Sequence, residues 1–321
     1  MFKIDYSQNS VSQNNAPQPL VVKDNPGFFK KMGAGMAGGA IVALPQTYIM
    51  KKMALGMQDG ISALNKAVSK DEIQILNQAG EKIFNESGLA QKGVSFIRGL
   101  TEDDKSFIKA CKNMYKGAGS KIKKLSTQQY QLALGRNAFF IPLQNTIKFT
   151  DKMALSQFHE LGHAMNYNGK GLGNFLWRAR PEAIGNYWLG KIAGIKTKFP
   201  LPAVILSLAG TVIGLTAIYK NKKAKGEKPQ GTFDKVTTFI KDNVGKLTFL
   251  VALPRVLEEG LASFKGERAV KNLISKDLFK KVKLQNRIGL LGYAASAALI
   301  SLGAVCASKI RDKIAQPNLN K

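Results

Sequence analysis

The sequence predicts a mainly α-helical protein with a small β-hairpin or sheet and about three to four transmembrane helices. Three observations carry that prediction. Uncharged apolar runs of about twenty residues, enough to span a hydrocarbon core, occur at 32–50, 201–219 and 288–308. Two short runs, 138–141 and 146–149, flank a Pro142–Asn145 turn and read as strands. Elsewhere apolar residues such as Ile73, Ile75, Leu76 and Ile83 recur at helical spacing, with glycine breakers between the segments.

In chain order, residues 1–31 form a polar tail rich in Asn, Gln, Ser and Pro, expected to be disordered. Residues 32–50 carry no charge and place Gly35 and Gly39 at the GxxxG spacing that lets membrane helices approach. They are expected to anchor the chain, although Pro45 weakens a straight helix there. Residues 51–200 follow as the region expected to carry chemistry: helices and turns over 51–135, then the two strands, then a helix over Met153–Met165 capped by Thr150 or Asp151. The strand Thr146–Phe149 is expected to offer an open edge on which an extended peptide can pair. Residues 201–308 form a membrane-helix region. Leu201–Tyr219 ends at an aromatic followed by lysines, as at a bilayer surface, and Ile288–Ser308 is bounded by Arg287 and Lys309. Val244–Leu257 is a weaker apolar stretch interrupted by Lys246, and 309–321 is a basic tail.

Forty-eight Lys and Arg against 21 Asp and Glu give a formal charge of +27. That balance favours anionic partners, and membrane lipid of negative charge is the expected one. Nucleic acid is not expected: no recognition motif is present, and aromatic residues are not interleaved with the lysine clusters at 220–228 and 265–287. Two cysteines, Cys111 and Cys306, are too few for a disulfide scaffold or a thiolate metal cluster. Cys306 sits in an apolar run and reads as a buried, inert thiol.

The only two histidines fall in Phe158-His159-Glu160-Leu161-Gly162-His163-Ala164. Four residues apart on a helix, their imidazoles project from one face and can reach one metal ion. Glu160 lies to the side, where it can hold a water on that metal and accept its proton as general base. This is the His-Glu-x-x-His pattern of a zincin-like catalytic helix, and the cofactor it calls for is Zn2+. The reaction expected is hydrolysis of a peptide or protein substrate.

A third protein ligand is needed, and without another histidine it has to be a carboxylate. Glu182 is one candidate, with Asn186 one turn beyond it; Glu259 is another, with Ser263 one turn beyond; Glu258 is the third, followed by Ala262. Asn186 and Ser263 are each placed to orient a ligand histidine from behind. Spacing from His163 favours Glu182. Membrane topology constrains the choice. If only Leu201–Tyr219 crosses between motif and ligand, Glu259 falls on the wrong side; if 244–257 also crosses, the chain returns and Glu259 is available. Arg178, Arg180 and Tyr187 are near enough in sequence to donate to a developing oxyanion.

His159-Glu-Leu-Gly-His-Ala164, then Leu253-Pro254 with Glu259 and Ala262-Ser263, then Gly292-Tyr293-Ala-Ala295, resemble the YugP-like neutral zinc metallopeptidases of bacterial membranes. The resemblance is patchy over 140–308, and this chain has Gly292 where the family has Thr before the tyrosine. It implies an integral protein of the bacterial cell membrane that cleaves peptide bonds with zinc on His159, His163 and Glu259, with Tyr293 at the site. The competing expectation is a basic membrane-associated scaffold with a non-catalytic metal site.

Overall fold

The structure, a computed structural model, describes residues 26–106, 109, 137–224 and 226–317. Most of the expected polar tail, Cys111, and much of 107–136 lie outside the described residues.

Helices dominate. α1 (Phe28–Lys66) is continuous across the 32–50 run and holds Pro45 in its interior. α2 (Lys70–Glu86) opens on a capping box, in which Ser69 and Glu72 each accept the other's backbone N–H. After β1 (Ser95–Arg98), β2 (Phe139–Ile141) and β3 (Thr146–Phe149) come α3 (Gln157–Tyr167), α4 (Leu172–Ala179) and α5 (Glu182–Ile192). The last four helices are α6 (Leu201–Tyr219), α7 (Gly231–Asp242), α8 (Val244–Val270) and α9 (Lys276–Ala315).

The sheet corrects one expectation. β3 is central, parallel to β1 and antiparallel to β2, with Phe140 opposite Ile147. Both edges of Thr146–Phe149 are therefore paired, and the edge facing the site belongs to Phe139–Ile141. The helix expected to begin at Met153 begins at Gln157, because Asp151–Met153 forms a 3-10 turn first.

α1, α9, α8 and α6 pack in a ring of antiparallel neighbours. Along α1 and α9, Gly38 faces Ala307, Met57 faces Gly292, and Asn65 bonds Gln285. Gly245 of α8 faces Ser301 and Val305 of α9, while Gly260 faces Leu290. α6 runs down beside the others, with Gly210 against Val251 and Ile218 against Gly35. Two of these helices, α6 and α9, are long and apolar enough to cross a membrane. Cys306 is exposed on α9, not buried, since it lies away from the packed seam.

The hydrophobic core sits at one end of this bundle, between α2, the sheet, α3 and the upper parts of α8 and α9. Leu76, Phe149, Phe158, Leu161, Val270 and Val282 are among its members. Buried amides tie this head to the bundle. Asn65 of α1 accepts the Leu155 N–H at 3.0 Å and donates to Gln285 of α9 at 2.7 Å. Gln285 in turn donates to Ser156 Oγ at 2.8 Å. The entry to α3 is thus fixed by side chains from both long helices.

Candidate metal centre

α3 and α8 cross at contact distance because glycine occupies the crossing on both. A Cβ on Gly162 would stand 2.0 Å from the Ala262 carbonyl oxygen, and one on Gly266 would stand 2.1 Å from that of Phe158. This approach brings Glu258, Glu259 and Ser263 of α8 against the two imidazoles of α3.

The two rings meet edge to face, with centroids 4.4 Å apart. Each is held from behind through Nδ1: His159 by Ser263 Oγ at 3.0 Å, His163 by Glu258 Oε1 at 3.0 Å. In the neutral form of each ring, an Nδ1–H donating to these oxygens leaves the Nε2 lone pair for a cation. Both Nε2 atoms converge on one carboxylate oxygen, Glu259 Oε2, at 3.2 Å from His159 and 3.3 Å from His163. The ligand atoms of all three residues lie within 4.8 Å of one another. Donors on a tetrahedral zinc, with bonds of about 2.0–2.1 Å, stand about 3.3 Å apart, so the three residues fit that ion.

Glu258 has a different task from its neighbour. Its carboxylate accepts from His163, from Asn166 Nδ2 at 2.8 Å and from Arg180 NH1 at 2.7 Å. Arg180 also lies 3.4 Å from Glu259 Oε1, so one guanidinium spans both acids, and it stacks on Trp177. Burial alone would raise the Glu259 carboxyl, but His163 and His159 hold it well below its ordinary value. Burial opposes the charge on His163, and Glu258 and Glu259 outweigh it, leaving the imidazole well above its usual range.

Glu160 is buried, and its Oε2 accepts the Phe140 N–H of β2 at 2.6 Å. Burial raises this carboxyl, against the opposing fields of His163 and His159. The donors open into a cavity of about 710 Å3 walled by β2, α1 and α9, with Met57, Phe140, Glu160, Arg255 and Tyr293 on its surface. Tyr293 lies under the Arg255 guanidinium, whose carbon is 5.2 Å from the ring centre.

Of the glutamates weighed as ligands, one is placed elsewhere. Glu182 pairs with Arg255 at 2.6 Å and is half-exposed, so it is no member of the donor set. Asn186 is in the cavity wall and bonds neither histidine. Arg178 donates to the Phe199 carbonyl and lines, with Tyr187, a separate cavity of about 240 Å3. The roles of Asn166 and Arg180 toward Glu258 were not read from the sequence. Asn166 follows His163 by three residues, the spacing that shares a helix face, and that was the available signal.

In comparison with known proteins, no family model, no curated protein and no solved structure matches the chain. Its function therefore has to be argued from the donor set formed by His159, His163 and Glu259.

Proposed function

We propose that the chain is a membrane-embedded zinc metallopeptidase of the His2Glu type, with α3 as its zincin-like catalytic helix. The single observation that carries this is the convergence of both Nε2 atoms on Glu259 Oε2 beside a buried Glu160. When bound, Zn2+ acts as a Lewis acid that acidifies water and polarises a peptide carbonyl. Glu160 is the proton carrier: its raised carboxyl sits at the donor set, and the Phe140 N–H fixes its aim. Arg180 and Glu258 hold His163, and Ser263 holds His159, so neither ring needs to reorient during reaction. β2 passes beside Glu160 on the cavity wall and is the strand along which an extended peptide would lie, its Phe140 N–H being already given to Glu160. Tyr293, which lines the same cavity, is the candidate to donate to the substrate's developing charge.

Membrane embedding draws support from the outward faces of the bundle. Ile205, Leu208, Val212 and Leu215 of α6 are half or more exposed, and only 11% of that helix's apolar window is buried within the molecule. A core helix of a water-soluble fold buries its apolar side chains; these point outward. The ring of α1, α6, α8 and α9 also brings Glu259 back to the side of His159, because α8 rises from the lower end of α6.

The test is purified protein in detergent, with zinc content and hydrolysis of an unfolded protein substrate measured together. Wild type is expected to hold one zinc and cleave. Glu160→Gln is expected to keep the zinc and lose at least about a hundredfold in rate, the usual weight of a general base. Wild type without zinc, or Glu160→Gln with full activity, overturns the reading.

A further inference from the structure

We propose that α7 lies in the headgroup layer of an anionic bilayer with its outward face immersed in lipid. This rests on the membrane-spanning part of the reading above, not on the chemistry. α7 is amphipathic in the reversed sense. Two of its four charged side chains face inward, while Lys235 and Asp242 are exposed: Asp234 pairs with Lys220 and with Lys223 at 2.9 Å, and Lys241 is buried, donating to the Ala217 carbonyl at 2.8 Å and pairing with Asp312 at 2.8 Å. Its apolar side chains face outward: Phe233 is 84% exposed, Phe239 59% and Val236 50%. Positions 233, 236 and 239 fall on one side of a helix, and Asp234 and Lys241 fall on the other.

In water this arrangement is upside down, since two phenylalanines remain hydrated while charges occupy the packed face. Lipid resolves it. α7 joins the lower ends of α6 and α8, so its outward face continues the exposed apolar face of α6 at the level where Tyr219 gives way to lysines. The charge around it selects the lipid. Residues 220–246 hold eight lysines and three acids, and Lys222, Lys228, Lys235 and Lys246 are exposed. Such a belt beside an inserted apolar face fits phosphate-bearing headgroups of net negative charge.

The experiment uses the full chain carrying Cys111→Ser and Cys306→Ser, with a nitroxide label at Phe233→Cys or Val212→Cys, in phosphatidylcholine vesicles with and without phosphatidylglycerol. Collision with oxygen, which favours lipid, is compared with collision with a water-soluble nickel chelate. The label at 212 is expected deep in lipid. The label at 233 is expected to favour oxygen at shallower depth, more strongly with phosphatidylglycerol present. A 233 label open to nickel while 212 stays in lipid overturns the placement of α7 and leaves the spans standing. Both labels open to nickel overturn the spans and this inference with them. A 233 label screened from both reagents means that protein covers the face and also overturns it. Equal depth in the two vesicle types overturns the choice of an anionic surface.

Discussion

Glu258 and Glu259 are adjacent in sequence and differ by one step of helical rotation, which gives two buried carboxylates two separate jobs. Glu259 presents Oε2 to both Nε2 atoms, whereas Glu258 is saturated by His163, Asn166 and Arg180. Neutralising each is therefore expected to act differently. Glu259→Gln removes an anionic donor and should abolish tight zinc binding. Glu258→Gln leaves an acceptor for His163 but strips Arg180 of its close partner, and should weaken zinc by about 10–100-fold, the usual cost of losing a group behind a ligand histidine. Ser263→Ala should fall in the same range, through His159. Chelator competition on the three purified variants checks the order; equal loss from Glu258→Gln and Glu259→Gln would show that both bind metal directly.

Among elements, the crossing of α3 over α8 decides whether the donors meet. Helix propensity alone predicts that Gly162→Ala stabilises α3 by about 1 kcal/mol. The contact predicts the opposite sign, because the added methyl meets the Ala262 carbonyl at 2.0 Å and that atom belongs to a packed backbone. Overpacking of this kind costs about 1–3 kcal/mol, so the variant is expected to melt earlier and to bind zinc less tightly, as thermal unfolding and metal titration would show. Lys148 ties β3 to Asp104 through a pair that depends on pH. Burial raises the Asp104 carboxyl, but bonds from Thr101 and Lys148 outweigh it and leave it below the ordinary range. A depressed carboxyl contributes stability above its unfolded pKa, about 3.9, and loses it as pH falls through the folded value. The gap in melting temperature between wild type and Asp104→Asn should be widest near neutral pH and close below about pH 4. What the sequence reading recovered at this scale followed periodicity: His159 and His163 share a face by spacing alone, and Ser263 sits one turn from Glu259. What it missed depended on distant pairing. β1 is four residues with no strong alternation, and only its parallel register with Thr146–Phe149 makes it a strand and buries both edges of β3. The reversed faces of α7 were equally hidden, since their sense depends on Lys220 and Asp312 lying inward.

At the scale of the whole molecule, the bundle has two unlike ends. One end carries α2, the sheet, α3 and the buried apolar core, together with the donors His159, His163 and Glu259. The other carries Tyr219, the lysine-rich turn after it, α7 and the start of α8, closed by the fully buried Arg311, which donates to the Ile218 carbonyl. Between them lie α6 and the apolar part of α9, each long enough to cross a bilayer. α6 and α8 run antiparallel, so the chain descends from the head and returns to it, and this return is what places Glu259 beside the histidines. Lys246, the charge that interrupts the 244–257 stretch, is exposed in the first turn of α8, at the lower end of the bundle, and in the proposed embedding that position keeps its ammonium in water. The proposed embedding predicts a definite sidedness. In a chain carrying Cys111→Ser and Cys306→Ser, cysteine placed at the exposed Glu86 or Lys228 should react with a membrane-impermeant maleimide from opposite faces of sealed vesicles. Labelling of both positions from one face would place the head and the lysine-rich turn together. The outward apolar face of α6 would then need a covering other than lipid.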